Sequence, residues 1–130
     1  MIALMGRTGA GKTTLLRLLL GLITPTEGRI TLQTPQAIYS VNEATRGNFV
    51  YIPQGGSLFS GTIRENLLLG DEDASEERLR RVLHLAVADF VFDLPKGLDT
   101  LIGERGVGLS EGQAQRIAIA RALLRPGKIL

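Results

Sequence analysis

The chain has 130 residues, a formal net charge of +2 and no cysteine. Its length suits one domain of ordinary size, and an apolar content of 44% is enough to build a core. The lack of cysteine excludes a disulfide framework and a cysteine-ligated metal site, and it favours a reducing compartment. The mixed charges form no basic stripe, so we predict no nucleic-acid partner.

The N-terminal elements are predicted to be a strand, a loop and a helix. The apolar run at residues 2–5 leads into a glycine-rich loop, and a helix then extends from near Lys12 to Gly21, a suitable C′ residue. The apolar stretch at residues 15–23 is shorter than the roughly 20 residues of a membrane span. Further elements are predicted in this order: a turn through Pro25 and Gly28, a strand at 29–32, a loop at 33–48 and a strand at 49–52.

The C-terminal half is predicted to be mainly helical. A short helix at residues 60–70 ends at Gly70, and a second helix follows an acidic turn. The second helix has its apolar residues at helical spacing, namely Leu79, Val82, Leu83, Ala86 and Val87. Residues 96–108 contain too many glycines for regular structure. A final helix runs from Ser110 to about Leu124, and residues 128–130 begin another strand.

The loop GRTGAGKT matches the P-loop pattern, in which Gly6 and Gly11 are followed by Lys and Thr. Glycines let the backbone turn its N–H groups around an anion, and the N-terminus of the next helix adds partial positive charge. Lys12 is predicted to contact the β- and γ-phosphates of ATP, and Thr13 to offer its hydroxyl to Mg²⁺. The predicted nucleotide-binding residues of this loop are Gly6, Thr8, Gly9, Ala10, Gly11, Lys12, Thr13 and Thr14. The alternative is a glycine turn that only requires positive φ.

The segment LSEGQ at residues 109–113 resembles the signature motif of the ABC ATPases, although Glu111 stands where that family usually has glycine. In the family this helix N-terminus faces the nucleotide bound to a second domain. The resemblance therefore implies that Ser110, Gly112 and Gln113 complete the partner's site, and the negative charge of Glu111 would weaken that closure. The alternative is a capping box that only begins the last helix, since Ser110 and Gln113 have the required spacing.

Two further segments resemble ABC exporters. The run YIPQGGSLFSGTIRENL at residues 51–67 is similar to their Q-loop region, which implies that Gln54 is a catalytic sensor and a Mg²⁺ contact. The segment GERG, with Glu104 and Arg105, is similar to a stretch that contacts the membrane domains. A solvated glutamine and a solvated polar turn are the respective alternatives.

Two other features are interpreted as structural. His84 lies near the apolar side of the second helix and is not at the family's switch-histidine position, so a structural role is favoured over a catalytic base. The acidic run at residues 71–77 places Asp73 and Glu76 at capping-box spacing. Helix initiation therefore explains this run better than metal binding does.

Together these resemblances imply an α/β fold of the P-loop NTPase type, incomplete at both ends. It would have a mostly parallel sheet with flanking helices and an inserted helical subdomain. Residues 1–54 and 125–130 would belong to the RecA-like core, and residues 55–124 to the helical subdomain. The implied partners are a second nucleotide-binding domain in a head-to-tail dimer and the transmembrane domains of an exporter. The implied location is the cytoplasmic face of the cell membrane.

In the order of motifs typical of this family, the Walker B Asp and Glu and a switch histidine would follow Leu130. We therefore expect this chain alone to bind nucleotide weakly and not to hydrolyse it. One alternative is a DNA-repair or chromosome-structure ATPase, but those proteins carry long coiled-coil arms between the Q-loop and the signature. Another alternative is a regulatory ATPase without a membrane partner.

Overall fold

The computed structural model describes residues 4–52, 58–103 and 108–127. The chain forms two compact units and passes from the N-terminal unit to the C-terminal unit between Phe49 and Val50. The strand predicted at residues 128–130 and the first part of the one at 2–5 lie outside the described residues. Leu4 and Met5 are described, and they are not in a strand. The predicted functional boundary between residues 54 and 55 stays a prediction.

Helix α1 spans Lys12–Leu19, and it begins where the glycine loop ends, as predicted. Its C-terminal end has the backbone pattern of a Schellman motif: the Leu22 N–H donates to the Arg17 carbonyl over 2.9 Å, and Gly21 has φ +62°. The prediction that Gly21 is the C′ residue is therefore confirmed. No residue of α1 is buried, so packing against a core does not explain the stability of this helix.

Strands β1 (Thr31–Gln33) and β2 (Ile38–Ser40) form an antiparallel hairpin, with Leu32 opposite Tyr39. The prediction of a strand near 29–32 is confirmed with a small shift, whereas the prediction of a loop for 33–48 is wrong at β2. All three side chains of β2 are exposed, so the strand has no buried face and no alternating pattern to reveal it. The turn is closed by Thr34, whose N–H donates to the Ala37 carbonyl over 2.8 Å.

A 3₁₀ helix, Glu43–Asn48, also lies within the predicted loop. Its N-cap is Asn42, whose side chain accepts from the N–H groups of Ala44 and Thr45, while Thr45 Oγ1 accepts from the Asn42 N–H over 2.9 Å. The strand predicted at residues 49–52 is wrong, because only Phe49 makes an isolated bridge. Val50 is buried, so this apolar run reflects burial rather than sheet pairing.

The described residues of the C-terminal unit form a short antiparallel pair of strands, three α-helices and two 3₁₀ helices. These elements are β3 (Gly61–Thr62), α2 (Ile63–Leu68), α3 (Glu76–Leu85), β4 (Leu101–Ile102) and α4 (Glu111–Leu124), with 3₁₀ helices at Asp89–Asp93 and Gly97–Asp99. The helix predicted from residue 60 starts later because Gly61 and Thr62 pair with β4. The prediction of no regular structure at 96–108 is wrong at β4 and at the second 3₁₀ helix.

The strand pairs of the described residues, β1 with β2 and β3 with β4, are both antiparallel. The mostly parallel sheet therefore stays a prediction. The start of α3 also differs in detail from expectation. Its N-cap is Ser75, whose hydroxyl accepts from the Arg78 N–H, rather than Asp73.

The core of the C-terminal unit is apolar and lies where α2 and α3 pack against α4. Its largest fully buried apolar side chains are Ile63, Leu67, Leu79, Leu83, Ile117, Leu124 and Val91. Asn66 is buried among them and is fully engaged: its amide donates to the Phe59 and Thr62 carbonyls, and its oxygen accepts from the Phe59 N–H over 2.8 Å. These hydrogen bonds link the segment that precedes α2 to the helix itself.

Arg64 on α2 links two other elements of the C-terminal unit. Its guanidinium donates to Asp99 over 2.8 Å and to Glu76, at the start of α3, over 2.7 Å. These hydrogen bonds hold the pKa of both carboxyl groups below their ordinary values of 4.5 for Glu76 and 3.8 for Asp99. The charged forms are thus favoured in the folded chain.

This ion-pair group predicts an acid-dependent loss of stability. A carboxyl group with a lowered folded-state pKa stabilises the fold above its ordinary pKa, and the contribution disappears as the pH falls through the lowered value. We expect Arg64→Gln to reduce the drop in urea midpoint between pH 6 and pH 3. Arg81→Gln, at an exposed position on α3, is the control. Equal acid sensitivity of both variants and the unaltered chain would contradict this assignment.

Candidate functional site

The glycine loop of the N-terminal unit has the backbone that its sequence predicts. Gly9 and Gly11 have φ values of +84° and +86°, a region that residues with a side chain rarely adopt. A Cβ at either position would meet nothing within 4 Å. Conformation, rather than crowding by neighbouring protein atoms, therefore requires glycine here, and the face where a Cβ would lie is open to a ligand.

Lys12 closes the loop from the first residue of α1. Its Nζ donates to the Gly6 carbonyl over 2.6 Å and to the Arg7 carbonyl over 2.8 Å. The ammonium is therefore held against the start of the loop by two carbonyl oxygens. A lysine ammonium has three donors, so one remains for an anion at this position.

The N-terminus of α1 differs from those of the other α-helices in the described part of the chain. Thr62, Ser75 and Ser110 cap α2, α3 and α4 with side-chain oxygens, whereas the N-cap of α1 is Gly11, which makes no side-chain hydrogen bond. The first-turn N–H groups of a helix carry partial positive charge and need acceptors. Together with Lys12, this arrangement fits a phosphate group.

The predicted metal and phosphate contacts Thr13 and Thr14 follow on the first turn of α1, and both are exposed. A threonine hydroxyl is a hard oxygen ligand of the kind that Mg²⁺ prefers. The donor set at this position thus fits the cation that accompanies a nucleoside triphosphate. Gln54, the other predicted Mg²⁺ contact, lies outside the described residues.

The signature segment forms the capping box that its sequence predicts. Ser110 Oγ accepts from the Gln113 N–H over 3.2 Å, and Gln113 Oε1 accepts from the Ser110 N–H over 3.0 Å. Both side chains act as acceptors in these bonds, so the hydroxyl proton of Ser110 and the amide protons of Gln113 remain available to donate. Glu111 is exposed in the first helical turn, and a Cβ at Gly112 would meet nothing within 4 Å.

The remaining candidates have separate outcomes. Glu104 and Arg105 lie outside the described residues. The placement of His84 near the apolar side of its helix is wrong: its side chain is 79% exposed and contacts Asp89 over 3.1 Å. Among residues 4–52, 58–103 and 108–127, no group of three or more His, Asp or Glu side chains is arranged to hold a metal ion.

One functional candidate had no sequence signal. Arg46 donates from Nε to the Leu20 carbonyl over 3.1 Å and from Nη2 to the Gly21 carbonyl over 3.0 Å. These contacts join the 3₁₀ helix at Glu43–Asn48 to the C-terminal end of α1. An arginine within an apparent loop gives no indication of a contact with a helix end about 25 residues earlier.

Comparison with known proteins identifies the family. The family model described as ABC transporter matches residues 1–130. The chain is 45% identical to an uncharacterized ABC transporter ATP-binding protein, YfiB, of Bacillus subtilis (strain 168), over 99% of its own length and 23% of that protein. It is 44% identical to a putative export ATP-binding/permease protein of Rickettsia bellii (strain RML369-C), over 99% of this chain and 22% of the relative.

A third relative is a probable multidrug resistance ABC transporter ATP-binding/permease protein, YheI, of Bacillus subtilis (strain 168). It is 42% identical over 99% of this chain and 22% of its own length. The chain thus spans less than a quarter of these curated relatives. In the described part of the chain, no helix is both long and apolar enough to cross a bilayer. The matched family and these relatives agree with the P-loop and signature motifs, and the chain therefore belongs to the ABC transporter family, as a nucleotide-binding domain.

Proposed function

We propose that the chain is the ATP-binding part of an exporter, in which binding and hydrolysis of ATP drive transport across a membrane. The observation that carries the proposal is the phosphate-binding geometry at the start of α1. There, Gly11 leaves the helix N-terminus without a side-chain cap, and Lys12 is held beside it by two carbonyls. The name of the Rickettsia relative, an export ATP-binding/permease protein, supports export as the process.

In this proposal the loop binds the phosphates and the first turn of α1 orients the metal. The backbone N–H groups would surround the β- and γ-phosphates, and the Lys12 ammonium would use its remaining N–H for the γ-phosphate. Thr13 and Gln54 would hold Mg²⁺, which neutralises charge on the triphosphate. Gln54 would also sense the γ-phosphate, because its amide can accept from water without adding charge.

We further propose that α4 acts on the nucleotide of a second domain, in a head-to-tail dimer. The free protons of Ser110 and Gln113 and the positive end of the helix can donate to a phosphate. The Glu111 carboxylate at the same end would oppose that anion. The transmembrane domains of the exporter would be the further partners, at the cytoplasmic face of the membrane, with residues 104–105 in contact with them.

The principal alternative, a DNA-repair or chromosome-structure ATPase, is not favoured. Helices α2 and α3 are short, and the described residues between Leu58 and Gly103 contain no long coiled-coil arm. A regulatory ATPase of the same family would lack the membrane domains. The permease named in two of the relatives supports the transporter instead.

A pair of substitutions at Gly112 tests the shared site. A carboxylate in the first turn favours helix formation, and Gly112 has open space for a side chain, so Gly112→Asp should preserve the fold. It should also repel a phosphate. We expect it to lower ATP hydrolysis by the full-length transporter at least about tenfold relative to the neutral control Gly112→Asn.

The same substitution shows whether α4 contacts the nucleotide bound to a partner copy or the nucleotide bound to its own copy. In the isolated chain, Gly112→Asp should leave the affinity for MgATP unchanged, because the P-loop of that copy is unaffected. Undiminished hydrolysis by the full-length Gly112→Asp transporter would contradict the proposed role of α4. A weaker affinity in the isolated chain would show that α4 acts within one copy.

A further inference from the structure

The proposed phosphate site lies at the start of α1, but few interactions within α1 stabilise this helix. It has eight residues, none of them buried. Isolated helices shorter than about 12 residues are marginal in water because nucleation is costly. Its N-terminal end has no side-chain cap. Contacts at its C-terminal end, where Leu18 and Leu19 are half-buried, therefore contribute to the stability of α1.

Backbone N–H groups satisfy only some of the carbonyl oxygens at that C-terminal end. The Schellman motif uses the carbonyls of Arg17 and Leu18, which accept from the N–H groups of Leu22 and Gly21. The carbonyls of Leu20, the C-cap residue, and of Gly21 accept from Arg46 instead. A guanidinium at this position satisfies these carbonyl oxygens and also complements the negative end of the helix dipole.

A second observation shows that the same junction is tightly packed. A Cβ added at Gly21 would lie 3.1 to 3.2 Å from backbone atoms of Asn42, the N-cap of the 3₁₀ helix that contains Arg46. The chain therefore brings the end of α1 against the start of the 3₁₀ helix, and the capping box of Asn42 and Thr45 fixes the geometry of that helix. Arg46 is half-buried at this junction.

We infer that Arg46 is a positioning residue for the nucleotide site: by holding the C-terminal end of α1, it keeps the helix N-terminus and Lys12 ordered for phosphate binding. Arg46 lies at the opposite end of α1 from the P-loop and acts through the helix. This inference rests on the proposed function for its ligand, ATP, but the ordering of α1 can be measured without nucleotide.

Hydrogen exchange of the chain without nucleotide tests the link. Arg46→Ala should lower the protection of the hydrogen-bonded α1 amides, residues 15–19, by roughly tenfold, which is the effect of losing hydrogen bonds from a charged donor. The β1 and β2 amides of the same unit should keep their protection. Arg46→Lys should restore part of the loss, since an ammonium can still donate to one of the two carbonyls. Arg29→Ala, at an exposed loop position, is the control.

Equilibrium binding of MgATP to the same variants provides the functional measurement. The dissociation constant should rise roughly fivefold to tenfold in Arg46→Ala, less in Arg46→Lys and not in Arg29→Ala. Unchanged α1 protection in Arg46→Ala, equal loss in β1 and β2, or α1 amides already unprotected in the unaltered chain would overturn the inference. If the unaltered chain binds no nucleotide, the proposed function fails, whereas the exchange data still decide the role of Arg46 in ordering α1.

Discussion

Replacing Lys12 with Ala is expected to weaken the affinity of the chain for MgATP by roughly tenfold to a hundredfold. A hydrogen bond to a charged group contributes about 1.5 to 3 kcal/mol, and each 1.4 kcal/mol is a factor of about ten in affinity. Lys12 also bridges the Gly6 and Arg7 carbonyls, so its loss removes the side chain that holds the loop closed. Isothermal titration calorimetry measures the affinity.

The matched control is Lys96→Ala, which removes an exposed lysine of the C-terminal unit. It changes the net charge by the same amount as Lys12→Ala but leaves the loop intact. If the two variants lose affinity equally, net charge rather than the phosphate loop would determine binding. The assignment of Lys12 would then be wrong.

A large loss of folding stability is expected from a substitution in the core of the C-terminal unit. Leu83 on α3 is fully buried, so Leu83→Ala removes apolar contacts and leaves a cavity where α3 packs against α4. Buried Leu→Ala changes typically cost about 2 to 5 kcal/mol. The free energy of unfolding, from urea titration followed by far-ultraviolet circular dichroism, should fall by this amount.

Leu85→Ala provides the comparison within the same helix. Leu85 is 62% exposed, and its replacement alters helix propensity just as Leu83→Ala does. Its free energy of unfolding should change by no more than about 0.5 kcal/mol. Equal losses in the two variants would show that α3 does not bury the face containing Leu83.

The sequence predicted well those features that depend on a few residues at fixed spacing. The helix starting at Lys12, the C′ position of Gly21 and the capping box of α4 all follow from local chemistry, and all three are confirmed. Helix α3 was predicted because its apolar residues repeat at helical spacing. These patterns are local, and neighbouring elements do not change them.

The sequence predicted poorly the features that depend on tertiary contacts. Strand β2 is exposed on all its residues and has no pattern, whereas buried Val50 gave an apolar run that is not a strand. The contact between Arg46 and the end of α1 depends on how distant segments meet. His84 was misplaced because it lies at the end of α3, where its side chain reaches Asp89 instead of the core.

This chain is expected to bind a nucleotide through its phosphates at Gly6–Thr13. A competition titration can test this binding mode, with MgATP bound to the chain and one of two competitors added at equal concentration. Magnesium tripolyphosphate should displace MgATP, because it offers the same anionic oxygens to Lys12 and the start of α1. Adenosine should not. Displacement by adenosine without displacement by tripolyphosphate would contradict this binding mode.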